Sequence, residues 1–381
     1  MNQNRTTDVD LDVLAREIKT WARELGFQQA GIADCDLSAA ETRLLDWLER
    51  GLHGGMHYMA RHGRRRTRPA ELVPGTVRVI SVRMDYLPGA ATPMEDVLSR
   101  KDLAYVSRYA LGRDYHKVVR RRLQRLADRI AERVGPFGYR ALCDSAPVME
   151  KPLAQKAGLG WTGKHTNLIA LGGGSWFFLG ELYTDLPLPL DSEHSDHCGT
   201  CRACIDACPT GAIVAPYQLD ACRCISYLTI EHAGAIPEPL RPLLGNRVYG
   251  CDDCQLVCPW NRFAHATPET DFAPRHGLDA SSLVSVFEWD EETFLRRTEG
   301  TAIRRIGHAR WLRNVAVALG NADTTGEILR ALVQRGEHPD PVVREHVAWA
   351  LERHRARATG ITPSGTRSYD SVGRVEGGRA S

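Results

Sequence analysis

Nine of the eleven cysteines in this 381-residue chain lie between Cys198 and Cys258. Cys198-x2-Cys201-x2-Cys204-x3-Cys208-Pro209 sets three thiols close enough to hold three corners of one iron–sulfur cubane. The turn at Pro209 carries the fourth towards a different cluster. Cys251-x2-Cys254-x3-Cys258-Pro259 repeats the second half of this pattern, and Cys222 and Cys224 fall between the two halves. The cross-over rule gives Cys198, Cys201, Cys204 and Cys258 to one [4Fe–4S] cluster, and Cys208, Cys224, Cys251 and Cys254 to a second. Cys222 could stand in for Cys224. Structural zinc favours pairs of C-x2-C knuckles separated by a longer loop, so two zinc sites are the weaker alternative. Two neighbouring clusters form a one-electron wire, which says that electrons move but not to what. Cys35 and Cys143 stand alone and are expected as small buried hydrophobes.

The elements that must hold these thiols read as an α+β chain. Leu11, Leu14, Ile18, Trp21 and Leu25 recur at helical spacing over 11–27, with Gly26 placed to end the helix. Val77, Val79, Ile80 and Val82 predict a buried strand stopped by Pro88, and His116 to Val134 a strongly basic helix. Apolar runs at 166–171 and 175–183 flank Gly172–Gly173–Gly174, which predicts a hairpin. The expected organisation is a mixed α/β domain over 1–187, a ferredoxin-like two-cluster domain over 188–262 and a helical, HEAT-like domain over 263–359. A Gly-, Ser- and Arg-rich tail over 360–381 is expected to be disordered. Lysine plus arginine number 49 against 47 acids, so any polyanion must be met by local patches. No apolar run reaches membrane-spanning length and the first ten residues lack the apolar core of a signal peptide, so a cytoplasmic protein without membrane contact is expected.

Several segments around this frame resemble epoxyqueuosine reductases. They are DSAPVMEK (144–151), AGLGWTGKHTNLI (157–169), GSWFFLGEL (174–182), CRCISYLTIE (222–231), GNRVYGCDDCQLVCPWN (245–261) and RRIGHARWLRNVAVALGN (304–321). The resemblance implies reduction of epoxyqueuosine to queuosine in the tRNA anticodon, the last step of queuosine synthesis. Electrons would pass through two [4Fe–4S] clusters to base-off cobalamin in the first domain. It implies Cys224 rather than Cys222 as the ligand, and Asp144 as the catalytic acid. Opening an epoxide leaves an alkoxide, and a carboxyl among Ala146, Pro147, Val148 and Met149 could hold the proton it needs. Asp114-Tyr115-His116 is the one near match to the D-x-H-x-x-G cobalt-ligating pattern and lacks its Gly, in keeping with a cofactor bound without histidine. The resemblance places cobalamin against Ser107, Arg108, Tyr109, Lys151, Gly160, Trp161, Gly163, Lys164, Ser175, Ser226 and Tyr227.

Basic clusters suggest contacts to the tRNA phosphates. Five arginines fall between Arg61 and Arg68, and eight Lys or Arg between Arg113 and Arg133. Arg304, Arg305, Arg310 and Arg313 are the tRNA-binding candidates of the helical region. An external one-electron donor such as ferredoxin or flavodoxin is implied. Two alternatives share part of this chemistry. A corrinoid reductive dehalogenase has the same cofactors but is typically exported with a twin-arginine signal, which is not seen. A non-catalytic ferredoxin-type carrier leaves the first 187 residues without a role.

Overall fold

The computed structural model describes residues 9–360, so the expected tail lies, apart from its first residue, outside the described residues. The first helix, Leu11–Glu24, is capped by Asp10, whose carboxylate accepts from the amides of Asp12 and Val13. Gly26 ends it at φ +88°, in the left-handed region. Four antiparallel strands form the central sheet in the order Gln29–Ala33, Arg78–Asp85, Phe177–Thr184, Tyr139–Leu142.

The long basic helix, Tyr115–Val134, buries Val119, Leu123, Leu126 and Ile130 between the sheet and the first helix. It lies directly on strand Phe177–Thr184, where a Cβ at Gly180 would come within 2.5 Å of Val119 Cγ1. Part of its positive charge is spent inside the molecule. Arg129 pairs with Glu24 at 2.5 Å and Arg133 with Glu17 at 3.2 Å, both on the first helix, and Arg122 pairs with Glu269.

The expected hairpin at 172–174 does not form as such. Leu168–Ile169 pairs with Trp161–Thr162, whereas Phe177–Thr184 enters the central sheet, and only a bridge between Ala170 and Gly174 joins the two runs. Phe177–Thr184 buries both faces and takes a central place, which two flanking strands reward more than one hairpin partner would.

Changes in sequence character at 187 and 262 do not separate independent cores. Strand Tyr105–Val106 pairs in parallel with Arg247–Tyr249 of the cysteine-rich region. Ala104, Val106, Ala110 and Leu111 share one core with Val248 and with Leu312, Val315 and Leu319 of the C-terminal helices. Phe272 in turn joins the core beneath the sheet.

Three helices, Gly307–Asn321, Gly326–Gln334 and Pro341–Ala358, complete the chain. The first is buried almost all round, including Arg313 and Asn314. The Arg313 guanidinium donates to the carbonyls of His232, Gly234 and Leu228, each at 2.7 Å, and Asn314 Nδ2 donates to Thr229 and Val248. Arg313 is therefore an internal clamp and not a phosphate contact, which corrects its sequence assignment: three backbone carbonyls offered a better partner than water. Arg313→Met should leave those carbonyls unpaired and cost about 3 kcal/mol or more. Arg304→Ala, at an exposed site, should cost almost nothing. Thermal unfolding of the two variants checks the contrast.

A candidate active site between an aspartate and a thiol wall

Asp144 follows strand Tyr139–Leu142 in a turn closed by the Ala146 amide on the Cys143 carbonyl. It does not cap the next helix, whose N-cap is Met149. Instead its carboxylate accepts from the Tyr115 hydroxyl on one oxygen and meets His116 Nε2 on the other. Both partners stand at the start of the long basic helix, which Asp114 caps. Asp114 Oδ1 also lies 2.6 Å from His116 Nδ1. One carboxylate thus ends the helix and orients the imidazole against a second. The Asp-Tyr-His run, which lacks the Gly of the cobalt-ligating pattern, serves to hold Asp144. Burial pulls the His116 pKa down, but the hydrogen bonds and charges of Asp114 and Asp144 outweigh it and raise it to about 9. The proton of the His116–Asp144 hydrogen bond therefore resides on the imidazole at neutral pH.

The apolar surroundings expected from Ala146, Val148 and Met149 are not at the carboxylate. Those side chains pack under the sheet with Leu142, Leu153 and Tyr183.

Asp144 opens onto a cavity of about 540 Å³ whose wall also carries Cys208, Cys224, Cys251 and Cys254. The Cys224 thiol lies within electrostatic reach of Cys208, and Cys254 of both. Cys204 likewise senses Cys258, Cys198 and Cys201, away from this cavity. Cys198, Cys201, Cys204 and Cys258 thus lie near one another, and so do Cys208, Cys224 and Cys254, with Cys251 on the same cavity wall. Cys222 is exposed, with its sulfur 3.8 Å from the Gly51 carbonyl, and does not line the cavity.

Asp252 secures the second group. Buried between Cys251 and Cys254, it accepts from Tyr105 OH at 2.7 Å, Ser107 Oγ at 2.5 Å and the Arg108 amide at 2.8 Å.

Of the expected cofactor contacts, Ser107, Tyr109, Lys151, Ser175, Ser226 and Tyr227 line the cavity. Lys151 is exposed at the cavity wall. Its ammonium donates to the Thr166 carbonyl at 2.9 Å and Asn167 Oδ1 at 3.0 Å. The other five are elsewhere, and the reason is steric or electrostatic. Arg108 is buried and donates to the Thr92 carbonyl. Lys164 donates to the carbonyls of Gly199 and Cys201 at 2.6 and 2.9 Å, bracing the first cysteine loop. Trp161 packs edge-on against Trp260 beside Cys198 and Cys258. Gly160 approaches the Ile169 backbone too closely for any side chain, and Gly163 lies against the Ile169 side chain.

The sequence reading missed four residues that belong here: Tyr115 and His116 on Asp144, and Glu150 and His165 on the cavity wall. Burial and the nearby Lys151 charge lower the His165 pKa to about 4, so its ring is neutral. Arg305 also lines the cavity, paired with Glu231. Arg310 is half-buried and donates to the carbonyls of Ile306 and Ile230 at 2.6 and 3.2 Å. Arg304, Arg305, Arg310 and Arg313 therefore do not form one surface patch.

Two measurements follow. A pKa raised from 6.5 to about 9 means that His116 contributes stability in full below the lower value and loses it as pH rises through the higher. Imidazole carbon shifts in histidine-labelled protein should show one ring still protonated well above neutrality. His116→Asn should remove that signal and flatten this part of the pH–stability curve. Secondly, Cys224→Ser should abolish one cluster, whereas Cys222→Ser should keep both, read by iron and sulfide content after anaerobic purification.

Two family models match the chain. One is a 4Fe-4S double cluster binding domain over residues 197–261, the other epoxyqueuosine reductase QueG, DUF1730, over residues 66–145. Epoxyqueuosine reductase of Pseudomonas aeruginosa is 63% identical over 342 residues, covering 90% of this chain and 94% of its own. The Escherichia coli K12 enzyme is 58% identical over 350 residues, covering 92% of each. A crystal structure of epoxyqueuosine reductase with a tRNA-Tyr epoxyqueuosine-modified stem loop matches the fold with a TM-score of 0.83 at 27% identity, over 91% of each chain. With an electron-carrying domain for two [4Fe–4S] clusters fused to this α+β scaffold, the chain is an oxidoreductase and belongs to the epoxyqueuosine reductase family.

Proposed function

We propose that this chain reduces epoxyqueuosine to queuosine in the anticodon of tRNA, with electrons delivered singly through the two clusters to cobalamin in the cavity. The observation that carries the reading is one cavity bounded by both Asp144 and the thiols of the second cysteine group. An acid and an electron outlet then face the same bound molecule.

The cavity suits a large flat ligand. Leu168, Phe177, Leu179 and Ile213 give it an apolar lining, into which a few polar groups converge. His165 Nε2 is buried there without a hydrogen-bond partner. Ser107, Tyr109, Lys151, Ser175, Ser226 and Tyr227 would hold the cofactor. When bound, cobalamin supplies a low-valent metal able to drive electrons into a carbon–oxygen bond. Cys198, Cys201, Cys204 and Cys258 would hold the outer cluster, and Cys208, Cys224, Cys251 and Cys254 the one at the cavity wall.

The chain's own share of the chemistry is the proton. Asp144 stands between His116, which stores a proton, and the cavity, where the epoxide oxygen would accept it. Tyr115 and Asp114 keep the carboxylate and the imidazole from rotating away. A fixed donor spares the transition state the cost of recruiting water.

For the polynucleotide, the short helix Tyr58–Arg61 and the turn Gly63–Arg66 follow Met56, which lines the cavity. Tyr58 lies within electrostatic reach of Glu231, Arg305 and Asp144. Arg61, Arg64 and Arg65 are exposed beside it, well placed for the phosphates around an anticodon base turned into the cavity. Arg304 would extend this surface. The electron donor would be a one-electron carrier such as ferredoxin or flavodoxin.

Single-turnover reduction of an epoxyqueuosine-bearing tRNA stem loop by the holoenzyme tests the reading. Asp144→Asn keeps the side-chain shape but not the proton path, and should lower the rate by about 10²- to 10⁴-fold. Cofactor content and stem-loop affinity should stay unchanged. Near wild-type reduction by the Asn variant would return Asp144 to a structural role, and no reduction by the wild-type holoenzyme would end the proposal.

A further inference from the structure

The sheet face turned away from the long helices is polar where a buried face is ordinarily apolar. Ser81, Arg83 and Asp85 alternate onto it from the central strand, and Glu181 and Tyr183 from the neighbouring one. All five are buried. Ser81 stands opposite Glu181 in register, so the two side chains leave the sheet together. Helix Glu150–Lys156 covers this face. Arg83 and Asp85 form an ion pair at 3.2 Å, although Arg83 Nε and Asp85 Oδ1 make no hydrogen bond among the described residues. Glu181 has no such partner. Both its carboxyl oxygens, the Ser81 hydroxyl and the Tyr183 hydroxyl are buried without a hydrogen bond among the described residues.

An ionised carboxylate in that position would forfeit its hydration with nothing in return, so the group holds a proton instead. Glu150, at the start of the covering helix, is the next acid along and lines the cavity with Asp144. Burial raises its pKa well above the ordinary range, and Glu181 and Asp144 raise it further against the opposing pull of Lys151 and His116. The Glu181 pKa is raised in the same direction by burial and by Asp144. The other titratable groups facing this pair are Arg66, whose charge acts on Glu150, the Arg83–Asp85 ion pair on the same face, Cys143 and Tyr183, both held neutral by burial, and Tyr115, whose hydroxyl is committed to Asp144.

We propose that Glu150 and Glu181 are a proton store behind Asp144: Glu150, at the cavity wall, reloads Asp144 with the second proton of the reduction, and Glu181 is its reserve. This rests on the function proposed above. Removing the epoxide oxygen as water breaks two C–O bonds, forms one C=C bond, and consumes two electrons and two protons. The electrons come from the external one-electron donor through the clusters. The His116–Asp144 pair shares one transferable proton, which turns the opened oxygen into a hydroxyl. Loss of that hydroxyl as water needs another, at a moment when bound tRNA covers the mouth. Glu150 gives up its proton and is left as the carboxylate, then recovers one from solvent once product leaves.

Infrared spectroscopy of the resting holoenzyme, without substrate, should show protonated-carboxyl carbonyl bands that shift in deuterated water. Glu150→Gln and Glu181→Gln should each remove one. In single-turnover reduction Glu150→Gln should slow the reaction by about 10²-fold, at the low end of general acid–base contributions, and Glu181→Gln by less. The wild-type rate should be flat across the neutral range, whereas the Glu150→Gln rate should fall as pH rises, because its second proton must then come from solvent. Absence of the carbonyl bands in wild-type protein would show both acids ionised and overturn the store, whatever the reaction. Bands lost in the variants with rate and pH profile unchanged would overturn its use. Failure of the wild-type holoenzyme to reduce the stem loop would instead sink the functional reading, and the store's role with it.

Discussion

The Asp252 carboxylate is the contact on which the rest of the architecture turns. It lies between two thiols of the second cysteine group and is reached by three donors from the segment Tyr105–Arg108. That segment is far away in sequence and would otherwise belong to the first domain. Two hydroxyls and one amide contribute about 1.5–3 kcal/mol each when the acceptor is charged, and the cost of burying that carboxylate is set against them. Their value is positional. They fasten the thiol wall to the same segment that supplies Ser107 and Tyr109 to the cavity. The short parallel pairing of Tyr105–Val106 with Arg247–Tyr249 keeps the two in register. Thiol wall and cavity are therefore built on one set of contacts.

A second chain of contacts holds Asp144 as the first holds the thiol wall. Asp114 caps the long basic helix and thereby fixes His116, and His116 with Tyr115 fixes Asp144. Helix capping, imidazole orientation and acid placement are linked through one N-terminus. The linkage also sets charge: a ring flanked by two carboxylates stays protonated through neutrality despite its burial. An acid in an apolar pocket would have been the simpler device, and the one suggested by the neighbours of Asp144 in the chain. The fold instead turns those neighbours under the sheet and gives the carboxylate a cationic partner.

The helical region adds a third kind of constraint. Helix Gly307–Asn321 is buried on nearly every side, and its Arg313 and Asn314 satisfy backbone carbonyls of the segment that follows Cys224. That segment supplies Ser226 and Tyr227 to the cavity. A region expected as a separate helical, HEAT-like domain thus braces the cavity wall. Surface arginines remain for a polyanion, but they come from the turn at 61–65 and from Arg304 rather than from one helix.

The cysteine spacing by itself pointed to electron chemistry, because C-x2-C-x2-C sets three thiols within seven residues of chain. Helical and strand periodicity likewise determined the first helix, the basic helix and the central strand, since each depends on near neighbours in the chain. Tertiary structure decided what depends on distant partners. Cys222 and Cys224 are two residues apart and equivalent in composition, and only folding turns one outward and the other to the thiol wall. The same holds for Arg313, a surface cation by sequence and an internal clamp in space, and for Glu181, one acid within an apolar strand. Charge, burial and proton affinity are properties of the surroundings, and a chain acquires surroundings only when it folds.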